Sequence, residues 1–286
     1  LRTRFDAQAT LHDVESGRAT VFAGVPTMWI ALAAAPGVEQ RDLSSLRLAF
    51  SGGAPLPAEV ATRLERLTGL RLAGGWGMTE TSPVGTRIPA GVAYRPGMIG
   101  IPLPGIEMDV VALDDPRRVL PPGETGEIRI RGPNVTPGYF NRPEENARAF
   151  VDGFLLTADV GFMEPDGTFF LVDRKEDMII SGGFNVYPRV IEEAVYEHPD
   201  VEEAIVVGVP DAYRGEAAKA FVKLREGSPP LTLEALRAFL ADKIGRHEMP
   251  AALEIRDHLP RTAVGKLSKK ELVEEERAKA ALREAS

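Results

Sequence analysis

A glycine-rich segment with one tryptophan carries residue types that could take part in chemistry. Residues 74–81 read Gly-Gly-Trp-Gly-Met-Thr-Glu-Thr and follow a predicted strand. The flat ring of Trp76 beside exposed backbone suits the stacking of a purine, and the hydroxyl of Thr79 and the carboxylate of Glu80 could serve a phosphate and its Mg²⁺. Glycine-rich turns are common, so a tight turn with Trp76 in the core is the alternative interpretation.

Three further segments carry groups that suit a nucleotide. Ser51-Gly52-Gly53 stands at the end of a predicted strand, where open α/β sheets bind ligands. Asp159 follows an apolar run, and its two acceptor oxygens suit a ribose diol, with a turn or capping aspartate as the alternative. Lys266 directly follows a glycine, and its ammonium could reach a phosphate or a carboxylate, although most lysines in such clusters are solvated.

Residues 173–186 combine a charged cluster, a short apolar strand and a Gly-Gly loop. They read Asp-Arg-Lys-Glu-Asp-Met-Ile-Ile-Ser-Gly-Gly-Phe-Asn-Val. Gly182 and Gly183 permit positive φ and a close approach of another molecule to the backbone. The charges just before them suit a pivot between two packed bodies. The segment therefore predicts a protein with two working positions.

Length and composition limit the class of protein. A chain of 286 residues exceeds the usual size of a single core, so we expect two bodies. The net charge of −8 argues against a nucleic-acid-coating protein. The absence of cysteine excludes disulfides and thiolate catalysis and is compatible with a cytoplasmic location. An uncharged run at 21–38 is interrupted by Pro26 and Pro36, which predicts a buried strand and a core helix in a soluble chain without a membrane span.

The pattern of elements changes twice along the chain. Residues 1–84 alternate strand-like and helix-like segments, with a further strand opening at residues 70–72, which predicts helices covering a largely parallel sheet. Residues 85–173 contain short strands between Gly, Pro and Asp turns, typical of a small antiparallel barrel or sheet. Residues 178–286 return to an α+β pattern that includes a helix at 231–245 and a charged amphipathic helix at the end.

Taken in order, these motifs closely resemble the adenylate-forming superfamily of acyl-CoA synthetases, luciferases and peptide-synthetase adenylation domains. The order is Ser-Gly-Gly-Ala-Pro, Gly-Trp-Gly-Met-Thr-Glu, Gly-Phe-Leu-x-Thr-x-Asp, the segment 173–186, and Pro-Arg-Thr-x-x-Gly-Lys. The resemblance is greatest to bacterial fatty-acyl-CoA ligases. It implies the C-terminal part of a large α/β domain with a small β-barrel subdomain (1–173), a hinge (174–177) and a small, moving α+β domain (178–286).

The resemblance also implies a reaction. ATP and a carboxylic acid give acyl-adenylate and pyrophosphate, and the thiol of coenzyme A then displaces AMP; Mg²⁺ accompanies the ATP. The implied catalytic residues are Lys266, Thr79 and Glu80, and Glu80 is also the implied metal ligand. Residues implied to line the nucleotide are Gly53, Ala54, Pro55, Trp76, Gly77, Asp159 and Arg174. The implied hinge is Glu176, the implied coenzyme A path is Gly182, Gly183 and Phe184, and the implied acyl pocket uses Val25, Met28, Gly75 and Met78.

Departures from the family pattern are also visible. Glu176 replaces the usual Asp or Lys at the hinge, Ala158 replaces the glycine of Thr-Gly-Asp, and Trp76 stands where tyrosine is commoner. No Ser/Thr/Gly-rich phosphate loop occurs in residues 1–24. We therefore expect a fragment that is poorly active or inactive alone.

Alternatives remain open at the level of the sequence. An adenylation domain that loads a carrier protein, an aryl-acid CoA ligase, and a non-catalytic nucleotide- or CoA-binding module all share these motifs. Joint retention of Thr79, Glu80, Asp159, Arg174 and Lys266 favours an enzyme over the non-catalytic module. The sequence leaves the acyl chain length and the oligomeric state undetermined.

Overall fold

The computed structural model describes residues 4–52, 58–72, 74–89, 92, 93, 95, 97–262 and 267–284. The chain divides into two compact units. The first unit comprises Leu1–Thr157 and Gly161–Leu171, and the second comprises Ala158–Val160 and Val172–Ser286. The predicted fold class is α/β with a sheet-rich part, followed by an α+β part. The structure confirms a mixed α/β fold.

The first unit begins with alternating helices and strands. These are α1 (Ala7–Ser16), β1 (Val21–Gly24), α2 (Pro26–Ala33), β2 (Leu48–Ser51) and α3 (Ala58–Thr68). The strands β1 and β2 pair in parallel, as the alternation predicts. Asp6 caps α1 by accepting the amide of Ala9 at 2.7 Å. Trp29 on α2 is almost fully buried and donates its indole N–H to the Phe50 carbonyl of β2 at 2.9 Å, which fixes helix to sheet.

The strand predicted at Leu70–Leu72 is wrong, because these residues do not form a strand. Leu70 and Leu72 instead pack against the hydrophobic cluster formed by α1, α2 and β2. The amide of Leu70 donates to the Thr68 hydroxyl at 3.2 Å, so the turn after α3 uses a group that a strand ladder would need. The apolar side chains of Leu70 and Leu72 therefore cover this core.

The chain after α3 forms a seven-stranded sheet, most of which belongs to the first unit. Its strands are β3 (Thr86–Arg87), β4 (Met98–Pro102), β5 (Glu107–Val111), β6 (Gly126–Arg131), β7 (Phe150–Val151), β8 (Phe154–Met163) and β9 (Phe169–Arg174). The order is β3-β4-β9-β8-β6-β5, with β7 paired to β8. A short helix, α4 (Pro143–Ala149), precedes β7. The pairs β3–β4, β4–β9, β5–β6 and β7–β8 are antiparallel, in agreement with the turn-rich sequence.

The second unit is an α+β arrangement around a five-stranded sheet. Its elements are β10 (Ile179–Ser181), β11 (Phe184–Val186), α5 (Pro188–Tyr196), β12 (Val201–Asp211), β13 (Gly215–Leu224), α6 (Leu233–Leu240), β14 (Ala252–Ile255) and α7 (Lys270–Glu284). The order is β11-β10-β13-β12, and β14 pairs in parallel with β13. Ile191 and Val195 of α5 and Leu236 and Leu240 of α6 pack fully buried on this sheet.

The helix predicted at Leu231–Gly245 is shorter in the structure and spans Leu233–Leu240. The helix begins after Thr232, which is its N-cap: the Thr232 hydroxyl accepts the amide of Ala235 at 3.2 Å. At the other side the chain turns, and the Gly245 amide donates to the Glu248 carboxylate at 2.6 Å. The apolar pattern of the leucines predicts a longer helix, because it does not reveal the hydrogen bonds that set where the helix begins and ends.

Ala158 occupies an unusual backbone conformation within β8, with φ of +58°. This is the left-handed region, in which a Cβ atom is strained and glycine is favoured. The position immediately precedes Asp159, and it is the position at which the resembled family carries glycine. The alanine therefore fits the sequence motif at a cost in backbone energy.

We predict that Ala158→Gly raises the free energy of unfolding by about 0.5–1 kcal/mol, because relief of the left-handed strain exceeds the added chain entropy of glycine. Urea denaturation of the intact protein measures this change. Ala220→Gly is the matched control: Ala220 is fully buried in β13 and is not among the residues with positive φ. The control should lower the stability, and a loss of stability in both variants would contradict the strain argument.

Candidate functional site

The glycine-rich segment packs tightly on the seven-stranded sheet. Trp76 is 8% exposed and belongs to the core of that sheet, and its ring lies against Gly85. A Cβ atom at Gly75 or Gly77 would overlap the backbone of Thr86 or Pro83, so close packing requires both glycines. The structure thus gives Trp76 the core position of the alternative interpretation, and its nucleotide contact stays a prediction.

Thr79 and Glu80 lie in a single 3-10 turn, Thr79–Thr81, which follows this packed segment. The fully buried Thr81 closes the turn, because its hydroxyl accepts the Met78 amide at 2.9 Å and donates to the Met78 carbonyl at 2.9 Å. Thr79 and Glu80 are therefore presented on a short turn with a fixed base.

Residues that follow β6 form hydrogen bonds to this turn, although they lie much later in the sequence. The Thr136 amide donates to the Glu80 carbonyl at 2.8 Å. The side-chain amide of Asn134 donates to the carbonyls of Thr81 at 2.9 Å and Val84 at 2.7 Å. The Tyr139 hydroxyl donates to Oε1 of Glu80 at 2.9 Å. The sequence does not indicate these three residues, because the carbonyls and the carboxylate that they bond lie 50 or more positions earlier in the chain.

Mg²⁺ is the metal that the resemblance implies for Glu80. No group of three or more His, Cys, Asp or Glu side chains forms a metal site within the described residues. Mg²⁺ is commonly held by one or two carboxylates together with substrate phosphates and water. Oε1 of Glu80 accepts the Tyr139 hydroxyl, and no hydrogen bond from the described residues reaches Oε2. One carboxylate with this arrangement fits Mg²⁺ that arrives with a nucleotide.

Asp159 and Arg174 form an ion pair in the second unit. Nε of Arg174, at the end of β9, lies 3.1 Å from Oδ1 of Asp159 in β8. The Asp159 side chain is 6% exposed, whereas that of Arg174 is 48% exposed. The buried carboxylate thus has its charge balanced by a guanidinium that still faces solvent. Such a pair offers both an acceptor and donors to a ligand with hydroxyl groups.

The predicted hinge and coenzyme A residues also lie in the second unit. Glu176 is exposed in a 3-10 turn, Lys175–Asp177. Gly182 and Gly183 connect β10 to β11 with φ of +57° and +85°, and a Cβ atom at either would meet no atom within 4 Å. Phe184 is 58% exposed, with its ring 4.9 Å from that of His247. The loop therefore presents bare backbone beside an exposed aromatic ring.

The four predicted acyl-pocket residues lie in two segments of the first unit. Val25 and Met28 stand at the start of α2, with Val25 exposed, whereas Gly75 and Met78 belong to the segment that packs on the seven-stranded sheet. An apolar cavity of about 20 Å³ lies among α1, α2 and α3, and none of the four lines it. Their shared role in an acyl pocket stays a prediction.

Four predicted site residues lie outside the described part of the chain. These are Gly53, Ala54, Pro55 and Lys266. Their flanks are described: Ser51 ends β2, and Arg261 and Leu267 form an antiparallel bridge on either side of the segment that contains Lys266. The Ser268 amide donates to the Pro260 carbonyl at 2.9 Å and closes the base of that segment.

Lys269 lies just after this base and is surrounded by three carboxylates. Its Nζ is 3.4 Å from Asp177, 3.4 Å from Glu192 and 3.9 Å from Asp173. Asp173 also accepts the Arg189 amide at the start of α5 at 2.8 Å. Burial works to lower the pKa of Lys269, but the carboxylates outweigh it and raise that pKa; burial raises the pKa of Glu192. This cluster joins the residue before the predicted hinge, the last residue of the hinge and α5 to the residue before α7.

Two family profiles match the sequence. The profile described as AMP-binding enzyme matches residues 1–140, and that of the AMP-binding enzyme C-terminal domain matches residues 190–266. Among curated proteins, a long-chain-fatty-acid–CoA ligase of Bacillus subtilis is 43% identical over 276 residues, which is 96% of this chain and 49% of the ligase. A feruloyl-CoA synthase of Amycolatopsis is 43% identical over 274 residues, 95% of this chain and 55% of the synthase. The chain spans about half the length of these relatives.

Solved structures agree in fold. ATP-bound MatB from Rhodopseudomonas palustris superposes with a TM-score of 0.85 at 34% identity, covering 95% of this chain and 53% of MatB. The o-succinylbenzoate CoA synthetase MenE of Bacillus subtilis, in complex with its acyl-adenylate, gives a TM-score of 0.83 at 32% identity, covering 95% of this chain and 54% of MenE. Within the described residues, no helix is both long and apolar enough to cross a membrane.

We predict that Lys269→Met lowers the stability of the second unit by about 3 kcal/mol, because it leaves buried carboxylates without their cation. Hydrogen exchange of amides in α5 and α7 measures that unit separately. Lys270→Met is the matched control, since the neighbouring lysine side chain is 82% exposed and lies 4.0 Å from Glu274. The control should change stability by no more than about 0.5 kcal/mol. Equal protection in the two variants would show that the cluster contributes little.

Proposed function

The chain belongs to the AMP-binding enzyme family, and from this premise we propose that the intact protein is an AMP-forming acid–thiol ligase. In the first step a carboxylate oxygen of the acid attacks the α-phosphorus of ATP and pyrophosphate leaves. In the second step the sulfur of coenzyme A attacks the acyl carbon, AMP leaves, and the thiol proton passes to solvent. The observation that carries the proposal is the presence of all five motifs in family order, within the ranges of both profiles or between them.

The first unit would handle the phosphates. A carboxylate is a poor electrophile, and joining it to AMP supplies a good leaving group. The hydroxyl of Thr79 would contact the α-phosphate, and the carboxylate of Glu80 would bind the Mg²⁺ that accompanies ATP. When bound, the metal would offset negative charge on the phosphates. The 3-10 turn supports this assignment because it presents both side chains from one fixed base.

The second unit would bind the ribose and would move between adenylation and thioester formation. The Asp159 carboxylate and the Arg174 guanidinium would bind the ribose hydroxyls. Lys266 would bridge acid and phosphate during adenylation and stabilise the charge that develops. The unit would then turn about Glu176, withdraw Lys266, and bring the bare backbone of Gly182 and Gly183 to the pantetheine path. Their open surroundings support this role.

The proposed substrate is a fatty acid. The Bacillus subtilis relative is a long-chain-fatty-acid–CoA ligase, but a feruloyl-CoA synthase is equally identical to the chain. An aryl-acid ligase is therefore the second candidate, and a carrier-protein-loading adenylation domain is the third. A panel of fatty and aryl acids, each offered with coenzyme A or with a carrier protein, separates these candidates. Retention of the motif residues argues against a non-catalytic module.

We predict that the intact protein catalyses acid-dependent ATP–pyrophosphate exchange and that Lys266→Ala slows it by about 100-fold or more, since a group that stabilises developing charge is removed. The same variant should still form thioester from a supplied acyl-adenylate at close to the wild-type rate. Exchange and thioester formation measured side by side provide the test. Equal losses in both half-reactions would overturn the proposed turn between two positions.

We predict the reverse pattern for Gly183→Leu, in which thioester formation falls by at least about 10-fold while ATP–pyrophosphate exchange is retained. A side chain here would enter the proposed pantetheine path, although it would also strain a backbone with positive φ. Gly227→Leu is the matched control, because Gly227 has φ of +80° and equally open surroundings in the same unit. If both variants lose thioester formation equally, backbone strain explains the loss and the assigned path is wrong.

A further inference from the structure

The carboxylate of Glu80 has a neutral hydrogen-bond partner that the proposed reaction does not use. The Tyr139 hydroxyl donates to Oε1 of Glu80 at 2.9 Å, across 59 positions of sequence. Among the described residues, no lysine, arginine or histidine forms an ion pair with Glu80. The contact therefore leaves the negative charge of Glu80 in place while restricting the direction of the carboxylate.

The position of Tyr139 is itself fixed by a reciprocal pair of hydrogen bonds. The Tyr139 amide donates to Oδ1 of Asn146 at 2.7 Å, and Nδ2 of Asn146 donates back to the Tyr139 carbonyl at 2.9 Å. Asn146 lies in α4, which anchors it. A Cβ atom on the preceding Gly138 would come within 3.0 Å of Oδ1 of Asn146, so the close approach of this amide favours glycine there.

The main chain around Glu80 is held by the same stretch of sequence. The Thr136 amide bonds the carbonyl of Glu80 itself, and Asn134 bonds the carbonyls of Thr81 and Val84. The Tyr139 ring packs edge-on against Phe150, with ring centroids 6.4 Å apart. Residues 134–146 thus contact both the backbone and the carboxylate of one residue. The backbone contacts would serve any turn, but the Tyr139 hydroxyl acts on the carboxylate alone.

We propose that Tyr139 is a positioning residue that orients the Glu80 carboxylate for a divalent cation bound with the nucleotide. The proposal rests on the metal role of Glu80 in the proposed function. A hydrogen bond from a neutral donor to one oxygen directs the other oxygen and the remaining lone pairs without cancelling the charge. Partners of this kind around metal ligands commonly change metal affinity by about 10- to 100-fold.

The test is binding of Mn²⁺, as a paramagnetic probe of the Mg²⁺ site, to the intact protein in the presence of a non-hydrolysable ATP analogue. Tyr139→Phe should weaken Mn²⁺ binding by about 10- to 100-fold and raise by a similar factor the Mg²⁺ concentration that half-saturates ATP–pyrophosphate exchange. Affinity for the analogue without metal should not change. The variant keeps the ring, so its packing against Phe150 should persist.

Tyr196→Phe is the matched control. Tyr196 is 44% exposed, against 37% for Tyr139, and its hydroxyl bonds a backbone carbonyl, that of Ala204, at 3.4 Å. This control should bind Mn²⁺ as the wild type does. Asn146→Ala is the second variant: it removes the support of Tyr139 but leaves its hydroxyl, so it should weaken Mn²⁺ binding in the same direction by a smaller factor.

A double variant distinguishes the inference from the function on which it rests. In a Glu80→Gln background, Tyr139→Phe should have no further effect on Mn²⁺ binding, because the two residues act as one unit. If Glu80→Gln alone leaves Mn²⁺ binding unchanged, the metal role of Glu80 is wrong and the inference falls with it. If Glu80→Gln weakens binding but Tyr139→Phe matches Tyr196→Phe, the proposed function stands and the role of Tyr139 is overturned.

Discussion

The turn at Thr79–Thr81 is too short to satisfy the carbonyls of Glu80 and Thr81 by itself, so their hydrogen bonds come from a later segment of the first unit. A 3-10 turn of three residues provides few internal hydrogen bonds, so its outer carbonyls need donors from elsewhere. Asn134 and Thr136 supply them, and both lie immediately after β6 in the seven-stranded sheet. The segment that follows β6 therefore fixes, by hydrogen bonds, a turn that precedes it in the sequence.

The sequence predicted those parts of the structure that depend on local pattern. The β1–β2 parallel pair, the antiparallel sheet and the α+β second unit follow from the spacing of apolar residues and turns. The strand expected at Leu70–Leu72 is wrong because apolar character alone does not distinguish a strand from a loop that covers a core. The helix expected at Leu231–Gly245 is too long because Thr232 caps it after Leu231.

The contacts around the candidate site could not be predicted, because they join residues far apart in sequence. Nothing near Tyr139 in the chain indicates that its hydroxyl meets Glu80. Lys269 also stands among charged residues that look like a solvated surface, yet its ammonium lies among carboxylates from the hinge region and α5. Its exposed neighbour Lys270 has the same local sequence, so only the fold distinguishes the two.

The balance of charge separates the roles of the two acidic site residues. Asp159 is buried and paired with Arg174, so the pair carries no net charge and suits the hydroxyl groups of a neutral diol. Glu80 has only the neutral hydroxyl of Tyr139 as a side-chain partner within the described residues, so no cation among them pairs with its carboxylate. A cation gains more from an uncompensated carboxylate than from a neutral pair. The family resemblance implies metal for Glu80 and ribose for Asp159, and the different partners of these two carboxylates are consistent with that proposal.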